Sequence, residues 1–502
     1  MPRKLLLSFI VFAVFLILAE VTARLTESTL TPERAGERTA GWQAEFFGGM
    51  FDWHEPDPQL LWRFKANLDN PLIMTNTDGY LGQAVPVEKQ SDAYRILLLG
   101  DSSPVGLGLE SHGQTFGDML KRLLAISLAG EAEVELVNAA VSGYTSEQVK
   151  RYLKLRGWRY DPDLVIVYCG NNDASISGSL SDRELFEAQR LGGLRRLLSR
   201  LAIYRVMRSL VLSGQDRESS EIASLKVRVD AEEYEENLRD IARQCREHNC
   251  PLVVVKPPVP YLWPAGLQFK VFTHVTGEDG RIILPDAMAV LLGRKIKYCF
   301  SRELFGELYG RGDVFTRGVY ASAYSDSLAP DDAIALYSSR LAADSGSPLV
   351  LNNLGVSFWQ AGDFAAAAEW LKRARRQYVE TLPSDSPTAA IAAGSPFLYN
   401  LGMAHLAGSG DWSASLTDSS STSFVLLDSA LQADYFSLRI KRSYGARIDR
   451  LPGDTNLVVV DLPSVFAAHG GERLFVDHCH PTAEGHLLIA RHLAETILAR
   501  YF

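Results

Sequence analysis

Five short runs of apolar, largely β-branched residues punctuate the chain: Arg95-Ile96-Leu97-Leu98-Leu99, Val134-Glu135-Leu136-Val137-Asn138, Leu164-Val165-Ile166-Val167-Tyr168, Leu252-Val253-Val254-Val255 and Leu457-Val458-Val459-Val460. Runs of this kind, alternating with helical periodicity, predict βαβ units and a parallel sheet covered on both faces. The expected fold class is therefore α/β, doubly wound. Ligands of such sheets bind beyond the carboxyl ends of the strands. The segments Gly100-Asp101-Ser102, Gly170-Asn171-Asn172-Asp173 and Asp477-His478-Cys479-His480 all fall on that side.

Roughly two hundred residues separate the fourth run from the fifth, far beyond an ordinary loop, so a module is expected there. Leu354-Gly355, Phe358, Gly362, Phe364, Ala367, Leu371 and Ala374 match tetratricopeptide (TPR) spacing, in which small residues let two antiparallel helices approach. Leu401-Gly402 with Ala404 starts a second copy, interrupted by the Ser/Thr/Asp-rich stretch 409–423 and resuming toward Ala430. A partner-binding surface and a helical hairpin that only packs on the core are both open, because solenoids normally stack about three or more units. Arg190, Arg195, Arg196, Arg200, Arg205 and Arg208 interleave with leucines. That pattern suits either a helix on anionic lipid or one with a solvated charged face.

Composition narrows the class. A 47% hydrophobic share with 22% charged residues is that of a folded globular chain, and a net charge of -9 argues against a nucleic-acid partner. The start Met-Pro-Arg-Lys followed by an apolar run from Leu5 to Ala19 reads as an export signal. It is either cleaved near Val21-Thr22-Ala23 or retained as a single-pass anchor; the anchor is favoured, with the rest of the chain extracytoplasmic (periplasmic). The five cysteines are Cys169, Cys245, Cys250, Cys299 and Cys479, so at least one is unpaired. Each reads first as a small core hydrophobe. A bridge between Cys169 and Cys479 would tie two of the motif segments together.

The chemistry begins at Ser102, in a strand-to-helix turn. A serine needs an adjacent base, and His480 is the candidate, with Asp477 three residues earlier to orient the imidazole. Negative charge on a tetrahedral intermediate calls for donors, and the Ser102 N–H, the Gly143 N–H and the Asn172 side-chain amide are available. Asp173 braces the Asn172 loop. Asp477-His478-Cys479-His480 also has metal-ligand residue types but no second cluster with ligand spacing, so neither metal nor cofactor is expected. No Gly-x-Ser-x-Gly elbow occurs.

Taken together, Gly100-Asp101-Ser102, Gly143, Gly170-x-Asn172-Asp173 and Asp477-x-x-His480 resemble, in order, the four signature blocks of the SGNH (GDSL-type) hydrolase family. The resemblance covers about residues 94 to 260 and 455 to 500. It implies a flavodoxin-like α/β/α fold with Ser102 as nucleophile, His480 as base, Asp477 as its orienter, and Ser102, Gly143 and Asn172 as oxyanion donors. The anchor and repeat insertion loosely resemble bacterial envelope members of the family.

The expected organisation is an anchor or signal at 1–25, a tether and extension at 26–90, the first part of the hydrolase core at 91–265, a helical TPR-like insertion at 266–450, and the last strand with the catalytic Asp/His helix at 451–502. The expected activity is extracytoplasmic ester hydrolysis, by a carboxylesterase or carbohydrate O-deacetylase, on an O-acylated small molecule or glycan. An O-acyltransferase acting on polysaccharide and a scaffold with a vestigial site are the alternatives. Tyr261 and Trp263, which leave the fourth strand on the active-site side, and Arg439 before the fifth are candidate substrate contacts.

Overall fold

The computed structural model describes residues 53–69, 73–109, 111–178, 180–190, 226–262, 329–343, 346, 348–381, 395–434, 438–451, 456–476 and 478–502. The N-terminal apolar run, Arg195 through Arg208, Trp263, Cys299 and Asp477 lie outside them. Among the described residues no helix is long and apolar enough to cross a membrane.

Among the described residues the first elements form an antiparallel hairpin, β1 (His54–Asp57) and β2 (Leu61–Phe64). The core then runs β3 (Ala93–Gly100), α1 (Ser102–Val105), α2 (Phe116–Ser127), β4 (Glu133–Asn138), α3 (Ser146–Leu155) and β5 (Leu164–Tyr168). A small antiparallel pair, β6 (Ile176–Gly178) and β7 (Lys226–Val227), brackets α4 (Asp182–Arg190), and α5 (Ala231–Glu247) leads into β8 (Leu252–Lys256). Between β8 and β9 come α6 (Pro330–Ala343), α7 (Pro348–Gln360), α8 (Phe364–Thr381), α9 (Ser395–Ser409), α10 (Trp412–Thr417), α11 (Thr422–Ala433) and α12 (Arg442–Ile448). The chain ends in β9 (Leu457–Asp461), α13 (Leu462–His469) and α14 (Ala483–Tyr501).

The five apolar runs form one parallel sheet in the order β4-β3-β5-β8-β9. That order reverses direction between β3 and β5, which is the switch point where doubly wound folds place their ligands. Gly100, the last residue of β3, pairs with Tyr168 at the end of β5, so the loops carrying Ser102 and Asn172 leave the sheet side by side. Continuous apolarity follows from burial on both faces. Leu97, Leu99, Val165, Val167, Leu252 and Val254 join a core with Leu238 and Ile241 of α5 and Tyr444 and Ile448 of α12. Their alternate neighbours Ile96, Leu98, Ile166, Val253 and Val255 join a second core with Leu120 and Leu124 of α2 and Ile489 and Leu493 of α14.

The helices between β8 and β9 have a core of their own, built from Val356, Trp359, Ala367, Leu371, Tyr399, Leu401, Met403 and Leu427. Gly355 lets α7 approach α8, since a Cβ there would stand 2.7 Å from Leu371 Cγ. Gly402 plays the same part between α9 and α11, 2.9 Å from Leu427 Cγ. Leu262 enters this core directly after β8, and its carbonyl accepts from Tyr399 Oη at 2.8 Å. Cys169, Cys245, Cys250 and Cys479 are free and buried, so neither Cys169–Cys479 nor Cys245–Cys250 is bridged. Their small apolar surface packs in the interior.

Candidate active site

Asp101 N-caps α1, its carboxylate accepting from Ser103 N at 2.9 Å, and this fixes Ser102 on the first helical turn after β3. The cap is fully buried, and burial pushes the Asp101 carboxyl up to about 6 against the pull of the Ser103 N–H and of His480. From the other end of the chain, His480 sits in a tight reversal: Val476 N donates to His480 O at 2.8 Å, and Thr482 caps α14 by accepting from Gly485 N at 3.2 Å. Ser103 Oγ donates to Cys479 O at 3.3 Å, tying that reversal to the Ser102 turn. The result brings Ser102 Oγ to 2.8 Å from His480 Nε2 across 378 positions of sequence. Ser102 is 6% exposed and His480 1%.

The other two blocks meet the same edge. Gly143 adopts φ +80, a left-handed conformation that disfavours any other residue, and it lies in the turn joining β4 to α3. Asn172 Nδ2 donates to Tyr144 O at 3.0 Å, so one of its two amide hydrogens joins the Asn172 loop to the Gly143 turn. Asn171 Oδ1 accepts from Ile440 N at 3.1 Å, which holds the segment before α12 over Gly170. Asp173 accepts from both Ser146 N, at 2.9 Å, and Ser146 Oγ, at 2.5 Å, and burial pushes its carboxyl up to about 7.

The two described candidates for substrate contact make protein contacts. The Tyr261 ring packs against Phe424 of α11, with centroids 5.0 Å apart, and its backbone N–H donates to Glu472. Arg439 is 1% exposed, donates to Pro260 O at 3.0 Å and lies 3.6 Å from Asp434. Donor atoms of His478, Cys479 and His480 lie within 4.8 Å of one another, so this turn has the composition to hold a metal, with His480 Nε2 already on Ser102.

Two residues at the site carried no motif signal. Trp62 donates from Nε1 to Ser142 O at 3.1 Å, and Arg228 donates to Gly143 O at 2.6 Å. Trp62 falls within the extension expected at 26–90, and Arg228 lies between two valines in a short strand-like run.

The segment that carries Ser102, Gly143 and Asn172 is similar to a known family. Residues 98–275 match the model of the GDSL-like Lipase/Acylhydrolase family. The chain carries a GDSL-like ester hydrolase domain. No curated protein matches it. Among solved structures it is similar to TesA, at 18% identity over 39% of this chain and 74% of that one, with a TM-score of 0.21. It is also similar to the lipase/acylhydrolase from Enterococcus faecalis, at 19% identity over 43% and 72%, with a TM-score of 0.20. An acetylxylan esterase from Geobacillus stearothermophilus follows at 16% identity over 40% and 73%, with a TM-score of 0.20. Scores this low carry no argument about substrate.

Proposed function

We propose that the GDSL-like domain is an extracytoplasmic carboxylesterase or carbohydrate O-deacetylase working through a Ser102 acyl-enzyme. The observation that carries this reading is the 2.8 Å approach of Ser102 Oγ to His480 Nε2. In the proposed cycle His480 takes the Ser102 proton as Oγ attacks the ester carbonyl, and Asp477 holds the imidazole in the required tautomer. The N–H groups of Ser102 and Gly143 and the second amide hydrogen of Asn172 receive the developing oxyanion. His480 then protonates the departing alkoxide, activates a water on the acyl-enzyme, and returns the proton to Ser102 as the acid leaves. The apolar run from Leu5 to Ala19 supports export with a membrane tether. The glycine-to-leucine approaches of α7 on α8 and α9 on α11 support a tetratricopeptide-like character for the insertion and a protein partner there.

The test is covalent labelling. A fluorophosphonate probe labels the full chain, and Ser102→Ala loses both the label and p-nitrophenyl acetate hydrolysis. Retained labelling in Ser102→Ala ends the serine reading. Release of acetate from an O-acetylated polysaccharide, and its partition between water and an added sugar hydroxyl, separates the deacetylase from a transferase.

A further inference from the structure

The turn between β4 and α3 is fastened from behind by groups that belong to none of the four signature blocks. The peptide joining Ser142 to Gly143 has its carbonyl bound by the Trp62 indole N–H at 3.1 Å. Peptide units are planar and no cis bond is present among the described residues, so that contact turns the Gly143 N–H away from the indole. The next peptide is held at both ends: Gly143 O accepts from Arg228 at 2.6 Å, and Tyr144 N donates to Val141 O at 3.2 Å.

Trp62 and Arg228 are themselves fixed. Tyr144 Oη donates to Trp62 O at 2.7 Å, Gln148 Nε2 donates to Leu60 O at 2.9 Å, and Arg156 reaches Asp57 at 2.6 Å, so hairpin β1–β2 is stitched to the turn and to α3. Arg228 is 3% exposed, pairs with Asp182 at 2.8 Å, donates to Gln148 Oε1 at 2.9 Å, and stands 5.4 Å over the Trp62 ring. A buried guanidinium bound to Asp182, Gln148 and Gly143 is a rigid donor, because moving it would strand charge away from water.

We infer that Trp62, presented by the hairpin that precedes the hydrolase core, and Arg228 are positioning residues that aim the Gly143 N–H at the oxyanion. The inference rests on the serine reading above. Its logic is that an oxyanion donor is effective only when it is already in place as charge develops, and a small misplacement costs much of its effect.

Trp62→Phe keeps an aromatic ring against Tyr144 and removes the N–H together with the rest of the five-membered ring. With p-nitrophenyl acetate, measured below the thermal midpoint of the variant, kcat is expected to fall by about 10- to 100-fold with KM unchanged. Affinity for a trifluoromethyl ketone, which forms a tetrahedral oxyanion on the serine, falls by a similar factor. Arg228→Lys, which keeps charge toward Asp182 but loses the forked reach to Gly143 O, shows the same split. Unchanged kcat and unchanged ketone affinity in folded Trp62→Phe overturn the inference, as does a loss confined to KM or stability. Ser102→Ala reports separately: if it too is fully active the serine reading has failed, and if it is inactive beside an unaffected Trp62→Phe only the positioning claim has.

Discussion

Asp173 shows how one buried carboxyl ties the site to pH. It is fully buried, and burial outweighs its bonds to Ser146 and the attraction of Arg228, so its carboxyl is pushed up to about 7 from an unfolded value near 4. Between those values the folded protein binds a proton that the unfolded chain has released. Stability contributed by this residue therefore falls as pH rises through the window, with a slope of at most about 1.4 kcal/mol per pH unit. His486, buried, and His54, half-buried, are both held down to about 3 by desolvation and act in the opposite sense, because the unfolded chain takes up their protons first as pH drops below about 6.5. The whole-protein curve is a compromise, so the Asp173 contribution has to be read by difference. In urea unfolding, Asp173→Asn is expected to gain stability relative to the parent between pH 5 and pH 8. A pH-independent difference refutes the argument.

At the scale of elements, close approach sets what each helix pair tolerates. Gly402 on α9 faces Leu427 of α11 with no room for a methyl group, so Gly402→Ala forces a shift in a packed interior and is expected to cost about 1 to 3 kcal/mol in unfolding. Fluorophosphonate labelling of Ser102 should persist at temperatures below the lowered transition. Gly355 and Gly402 were both legible in the sequence because small residues at fixed helical spacing have few other uses. The five sheet strands were legible for a related reason: burial on two faces leaves continuous apolar runs that differ from any amphipathic helix. Hairpin β1–β2 was not, because its strands are four residues each and its pattern, His-Glu-Pro-Asp and Leu-Trp-Arg-Phe, shows no alternation long enough to read. Its hold on the Gly143 turn runs through backbone carbonyls, which leave no trace in residue identity.

For the molecule as a whole, the inserted helices and His480 share an anchor in Glu472. This residue sits in the single helical turn Gly471–Leu474, just before the reversal that carries His480. Its carboxylate accepts from Tyr261 N at 2.5 Å and Leu262 N at 3.1 Å, the two residues through which the chain passes from β8 toward the inserted helices. Burial pushes the Glu472 carboxyl up to about 7, against these two donors and the attraction of Arg439, which itself binds Pro260 O at 3.0 Å. The approach to the insertion is thus tied to the turn that carries His480. Glu472→Ala leaves two part-buried N–H groups without their acceptor, each worth about 1 kcal/mol, and frees the reversal to drift. Expected outcomes are a lowered thermal midpoint together with a fall in kcat for p-nitrophenyl acetate measured well below it, since His480 must stay within hydrogen-bond reach of Ser102. Glu472→Gln, which retains an acceptor of the same shape, should recover most of both. If Glu472→Ala loses stability while the folded fraction keeps full kcat, the anchor holds the insertion only, and the histidine turn is braced by Ser103 and α14 alone.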